Sequence, residues 1–303
     1  MISCITRNKL FITDSVQVFT VYYIVISKIN HYNMTCTGAI QMNCCGNEAI
    51  MNKCIMALFA HADDIEIKAG GTLLKYKDQG YKIIYVMATN NMAGSDARKS
   101  AVYGQAPMPP DECYAVRRKE ACAAAEILGT KPIFLDYPQG GYHKNGIFKG
   151  VELRFGSEAP EKINCEMPSI LTAYHNKECV ERVTQIILEN QPEFVFTETA
   201  DHNTEHYSTC LLCQHAFDSA LKKNYKGILL SPSIPRRPFM IPPDTYVNIT
   251  DYIEKKIALL KIHESQCAEW MLERLKDQAK FWGWACNCKY AEAFSTIKNG
   301  LLQ

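Results

Sequence analysis

The sequence is poor in several features that would commit it to a function class. Its 33 lysines and arginines nearly cancel 32 aspartates and glutamates, leaving a net charge of +1 at pH 7 with histidine neutral. A broad basic face for nucleic acid is therefore not expected. The most apolar early stretch, Val16–Ile29 (VQVFTVYYIVISKI), holds Gln17 and follows Asp14. It falls short of the ~20 apolar residues of a spanning helix. No small-residue cleavage site closes it, so a signal peptide fits poorly as well. Neither phosphate-binding glycine pattern, G-x-G-x-x-G or G-x-x-x-x-G-K-[ST], is present, and no internal repeat is visible. Cys210-x-x-Cys213 has no second C-x-x-C to complete a zinc site and reads as buried helix. The 14 cysteines are too dilute for a small disulfide scaffold. They read as reduced thiols of a cytoplasmic protein.

What is present is an ordinary globular balance, 47% hydrophobic and 21% charged, in a chain long enough to bury a core without staples. The first 50 residues have no clear helical period, and residues 1–50 are expected to be an extension or the product of too early a start codon. At Met51 the character changes to MNKCIMALFAHADD, a polar start feeding an apolar strand. From there strands and helices alternate: strands at Cys54–Ala60, Tyr81–Ala88, Pro132–Leu135 and Glu193–Thr197, and helices at Ile65–Gln79, Glu112–Leu128, Glu178–Glu189, Glu205–Lys223 and Asp251–His263. Ser231–Pro243 reads as a Pro-rich loop, Asp251 and Glu254 as a capping pair, and Gln266–Lys298 as mostly helical. The alternation predicts an α/β fold with a Rossmann-like, mostly parallel sheet covered by helices on both faces, forming one catalytic domain over 51–303.

In such sheets ligands sit beyond the carboxyl ends of the strands. Two polar clusters fall there: Ala60-His61-Ala62-Asp63-Asp64, and Glu198 through His206 in ETADHNTEH. Imidazole and carboxylate suit zinc, and catalytic zinc sites use three protein ligands plus water. His61, Asp64 and His206 could supply the three, leaving Asp63 as a base. Taken singly, each cluster also reads as a polar helix start, where carboxylates and capping residues are favoured anyway.

AHADDIEIKAGGTL, the following strand, an Ala-Gly loop and YAVRRKEACAAAEILG together resemble the PIG-L (LmbE-like) deacetylases. Their signature combines His-x-Asp-Asp, a Gly-Gly-Thr helix, an Arg-x-x-Glu helix and a distal Asp-His motif. The resemblance runs through LDYPQGG, resumes at Asp201–His206 and reaches VNITDYIEKKIALLKIHESQ. It implies zinc-dependent hydrolysis of an N-acetyl group, usually on a glucosamine unit. His61, Asp64 and His206 then match zinc ligands, Asp63 the general base and Arg117 a substrate-contacting arginine. Ferrous iron suits the same ligands. The chain departs from the family pattern at Asn203, where a histidine is usual; His202, one residue upstream, is the expected replacement acid. It departs again at Glu205, where aspartate is common and where a carboxylate would orient His206.

The expected partner is a small N-acetylated amino sugar, with no nucleic acid and no membrane span; self-association into a homo-oligomer is left open. Rival expectations are an amidase for another sugar conjugate and a sugar-binding protein that keeps its metal without turnover. Lesser candidates are Asp201 as a partner of His202 or of backbone donors, Tyr142 and His143 in a Gly-rich turn, and Arg236-Arg237 in the Pro-rich loop. His263 reads as a helix C-terminal residue, and Gly70-Gly71 as the seat of close helix–sheet packing.

Overall fold

The computed structural model describes residues 53–102, 105–139, 168–199, 201, 203–235 and 242–302. The expected extension over 1–50 lies outside the described residues, as do Tyr142, His143, His202, Arg236 and Arg237.

Three apolar runs form the centre of the sheet: β1 (Cys54–Phe59), β2 (Lys82–Thr89) and β4 (Phe194–Thr197). Every residue of β1 is buried, as expected of a parallel strand covered on both faces. With β3 (Ile133–Tyr137), β5 (Ile228–Pro232), β6 (Thr245–Asn248) and β7 (Ala291–Asn299) they make a sheet of order β3-β2-β1-β4-β5-β7-β6. Strands β1 to β5 pair in parallel, while β7 runs antiparallel to both β5 and β6.

Alternate residues of β1 serve two cores. Ile55, Ala57 and Phe59 join α1 (Asp64–Asp78), α2 (Pro110–Ile127), α6 (Ile253–Leu260) and α7 (Glu269–Ala285). Cys54, Met56 and Leu58 join α3 (Ile170–Ala173), α4 (Lys177–Asn190) and α5 (Thr204–Leu221) on the other face. Cys210 and Cys213 are buried on α5, and burial pushes their thiols up to about 11 and about 12. The Rossmann-like expectation is met. Gly71 also behaves as expected: a Cβ there would lie 2.9 Å from Ile249 Cδ1, while its amide donates to Glu292 Oε1 at 3.0 Å.

The C-terminal third departs from the sequence expectation. Helix α7 ends at Ala285, and Ala291–Asn299 is strand β7. Its sequence, AEAFSTIKN, mixes polar and apolar residues because β7 lies at the antiparallel end of the sheet, away from the wholly apolar centre. β5 includes Ser231 and Pro232, which the Pro-rich loop was expected to claim. Asp251 and Glu254 make no capping pair: α6 has no side-chain cap, a 3-10 turn over Thr250–Tyr252 precedes it, and Asn248 Oδ1 accepts the Thr250 amide.

Candidate metal centre

The strand order reverses direction between β1 and β4, which opens a crevice at their carboxyl ends. The two polar clusters leave the sheet at this crevice. Glu198 joins them, accepting the Ala60 amide on Oε1 at 3.1 Å. β2 holds the first cluster from its other side. Thr89 Oγ1 donates to the Ala60 carbonyl, and Asn91 Oδ1 accepts the Ala62 amide at 2.7 Å.

His61 Nδ1, Asp64 Oδ2 and His206 Nε2 form a nearly equilateral triangle. The edges are 3.1 Å from His61 to Asp64, 3.2 Å from His61 to His206 and 3.3 Å from His206 to Asp64. Ligands about 2.0–2.1 Å from a tetrahedral zinc stand about 3.3 Å apart. The donor set and its spacing therefore fit such an ion, with one vertex of the tetrahedron left for a non-protein ligand. They are the group of possible metal ligands found among the described residues.

Each histidine is held by its other nitrogen. His61 Nε2 lies 2.6 Å from Glu205 Oε2, and His206 Nδ1 lies 3.0 Å from Asp201 Oδ2. Such carboxylates fix the tautomer and raise ligand basicity. The sequence expected Glu205 to serve His206, but Glu205 reaches across to His61 and Asp201 serves His206. Asp201 also accepts the Asn203 amide, and Asn203 caps α5 by accepting the Glu205 amide at 2.9 Å. Gln139, following β3, donates to Glu205 Oε2 and accepts the Ala93 amide.

Burial opposes charge throughout this site, and the neighbours decide the outcome. It works against a charged His206, yet Asp64 and Glu198 hold that imidazolium up to about 10. His61 is raised in the same way by Asp64 and Glu205. Burial would lift Asp64, but His206 and Lys68 hold it well below the usual carboxylate range. At Asp63 burial prevails over Arg117 and lifts the carboxyl to about 6. Asp63 is the N-cap of α1 with φ 108°, and its side chain makes no cap hydrogen bond. A left-handed non-glycine residue is strained, and here the strain leaves the carboxylate free of the helix.

Arg117 is 4% exposed, and its guanidinium meets Asp63 Oδ1 at 3.2 Å, the Ala62 carbonyl at 2.6 Å and the Ala93 carbonyl at 3.1 Å. One turn later Glu120 accepts the Ser265 amide and hydroxyl at 2.8 and 2.7 Å. The Arg-x-x-Glu pattern thus holds Asp63 with one residue and ties down the HESQ segment with the other. His263, expected as a helix C-terminal residue, lies just past α6 and is fully buried with Nε2 3.2 Å from Glu66 Oε2, and Tyr85 donates to the same carboxylate.

A family model described as PIG-L, GlcNAc-PI de-N-acetylase, matches residues 56–217, more than half of the chain. The chain belongs to the PIG-L family. As a member it is an enzyme of the de-N-acetylase class. Its similarity extends to "4-oxalmesaconate hydratase" from Pseudomonas putida, 25% identical over 75% of this chain and 80% of the relative. The "Probable N-acetyl-alpha-D-glucosaminyl L-malate deacetylase 2" of Bacillus cereus is 24% identical over 74% and 87%. The solved N,N'-diacetylchitobiose deacetylase from Pyrococcus horikoshii superposes with TM-score 0.59 at 23% identity, over 82% of this chain and 85% of that one. That last likeness establishes the fold.

Sequence reasoning assigned no role to Lys68, Asn91, Gln139 or Glu198. Lys68 could have been flagged: a lysine four residues after Asp64, on the stripe that also carries Thr72, belongs to the buried face of α1. Asn91 and Gln139 left no comparable signal, since loop amides are common and uninformative.

Proposed function

We propose that this chain is a zinc-dependent hydrolase that removes an N-acetyl group from an N-acetylglucosamine-containing small molecule, releasing acetate and the free amine. The observation that carries this reading is the donor triangle of His61, Asp64 and His206, with edges of 3.1, 3.2 and 3.3 Å. A divalent ion held there would supply Lewis-acid chemistry, acidifying water and polarising the amide carbonyl. Asp63 stands next in sequence to the ligand Asp64, and a carboxyl lifted to about 6 is matched to proton abstraction near neutral pH. Arg117 keeps that carboxylate in place and does its work through Asp63. The leaving amine needs a proton. Asn203 has none to give as an acid, so the donor assigned here is His202, one residue upstream. Residues 51–303 are the proposed catalytic unit, and relatives described as sugar deacetylases support the substrate class.

The test is acetate release by zinc-reconstituted protein across N-acetylglucosamine conjugates with neutral and acidic aglycones. Release that a chelator abolishes supports the reading. His202→Ala should then lower turnover at least ~100-fold, and equal rates would remove His202 as the acid. A second reading, hydration of an unsaturated acid, is favoured by the hydratase relative. It predicts no acetate from any conjugate and a hydrated product from an unsaturated polycarboxylate.

A further inference from the structure

Lys68 is a buried cation beside the donor triangle. It is 4% exposed at the side chain. Its ammonium touches Asp64 Oδ1 at 2.8 Å, pairs with Glu198 Oε2 and stands 3.5 Å from His206 Nδ1. Each contact has a consequence for the site. Asp64 uses Oδ2 toward His61 and His206 and Oδ1 toward Lys68, so its two oxygens have separate duties. Glu198 is anchored at both oxygens, to the Ala60 amide and to Lys68, and is thereby kept from the triangle. A fixed positive charge also stands within a few ångströms of any cation bound there, in an interior where charges are weakly screened.

We propose that Lys68 is a positioning residue that restricts Asp64 to one ligating oxygen, excludes Glu198 from the ligand set and weakens the hold on the metal, preserving an open coordination position. The inference rests on the metal-dependent reading above and deepens it. A carboxylate free to ligate through both oxygens would fill the fourth position, and a closed zinc site is a structural one. A site that binds its metal through three protein atoms keeps room for water and substrate.

The experiment uses cobalt(II) and zinc alone as probes, on the full chain and two variants. Lys68→Met removes the ammonium. Lys68→Met combined with Glu198→Gln also removes the carboxylate that the first change strands, which guards against a folding failure of the single variant. In the unaltered protein the visible spectrum of bound cobalt should be the intense one of four-coordinate geometry. In both variants the band should weaken severalfold as coordination number rises, and zinc affinity by chelator competition should tighten roughly 10- to 100-fold. A merely structural lysine would lower melting temperature without moving either readout. Variant spectra and affinities superimposable on those of the unaltered protein would overturn the inference while leaving the functional reading standing. Failure of the unaltered protein to bind either metal would overturn the functional reading, and the inference would fall with it.

Discussion

At the scale of single residues the site is a set of buried charges whose neighbours set their protonation. Asp63 is the clearest case. Its side chain is 14% exposed, and its carboxyl is lifted from 3.8 to about 6, chiefly by burial. A folded-state value above the unfolded one means that folding favours the protonated form. The associated stability is present below about pH 4 and is lost as pH rises through 6. Two pKa units correspond to at most about 3 kcal/mol. Asp63→Asn, which cannot ionise, should therefore melt higher than the unaltered protein at pH 8 and like it at pH 4, with both treated with chelator. The same variant should lose ~100-fold or more of turnover. Melting curves that coincide at both pH values would contradict the burial account of Asp63. His61, Asp63, Asp64 and His206 were legible as candidates because acid and imidazole chemistry leaves a mark on residue type. Which carboxylate serves which histidine was not legible. Glu205 serves His61 rather than the expected His206, and Asp201 takes His206, because α5 turns Glu205 toward His61, and one-dimensional spacing does not encode that rotation.

At the scale of elements, two strand ends and one helix start deliver the site. The apolar runs of β1, β2 and β4 announced themselves, since a strand buried on both faces has no alternative composition. β6 and β7 did not. Their mixed sequences acquire strand geometry from pairing, β7 with β5 and β6 with β7, a long-range cause that local pattern does not carry. The start of α5 matters more to function. Asn203 caps it by accepting the Glu205 amide at 2.9 Å, which sets Glu205 against His61 and His206 against Asp64. Asn203→Ala should cost about 1 kcal/mol of stability and also weaken zinc binding, because the carboxylate and the ligand lie in the uncapped first turn. Asn203→Asp or Asn203→Ser, which cap equally well, should preserve both. A metal affinity unaffected by Asn203→Ala would show that β4 and Asp201 position His206 without help from the cap.

At the scale of the whole molecule the sheet order places β1 and β4 side by side at the point where connections diverge, and the metal centre joins those two halves. Glu198 on the Ala60 amide, Lys68 on Glu198 and the donor triangle all cross that seam. A native-state ligand that bridges it stabilises the fold by mass action, about 2.7 kcal/mol at a free concentration a hundredfold above Kd. For a domain of this size that is roughly 5–10 °C. Zinc should raise the melting temperature of chelator-treated protein by about that amount and should do nothing for His206→Ala. Among the described residues no helix is long and apolar enough to cross a membrane. The most direct test follows an N-acetylglucosaminide by nuclear magnetic resonance, with chelator-treated and zinc-restored protein, in water enriched in heavy oxygen. The account predicts acetate carrying one solvent oxygen and an unlabelled free amine, formed only after zinc is restored. Zinc-loaded, folded protein that leaves every acetyl group in place would contradict it.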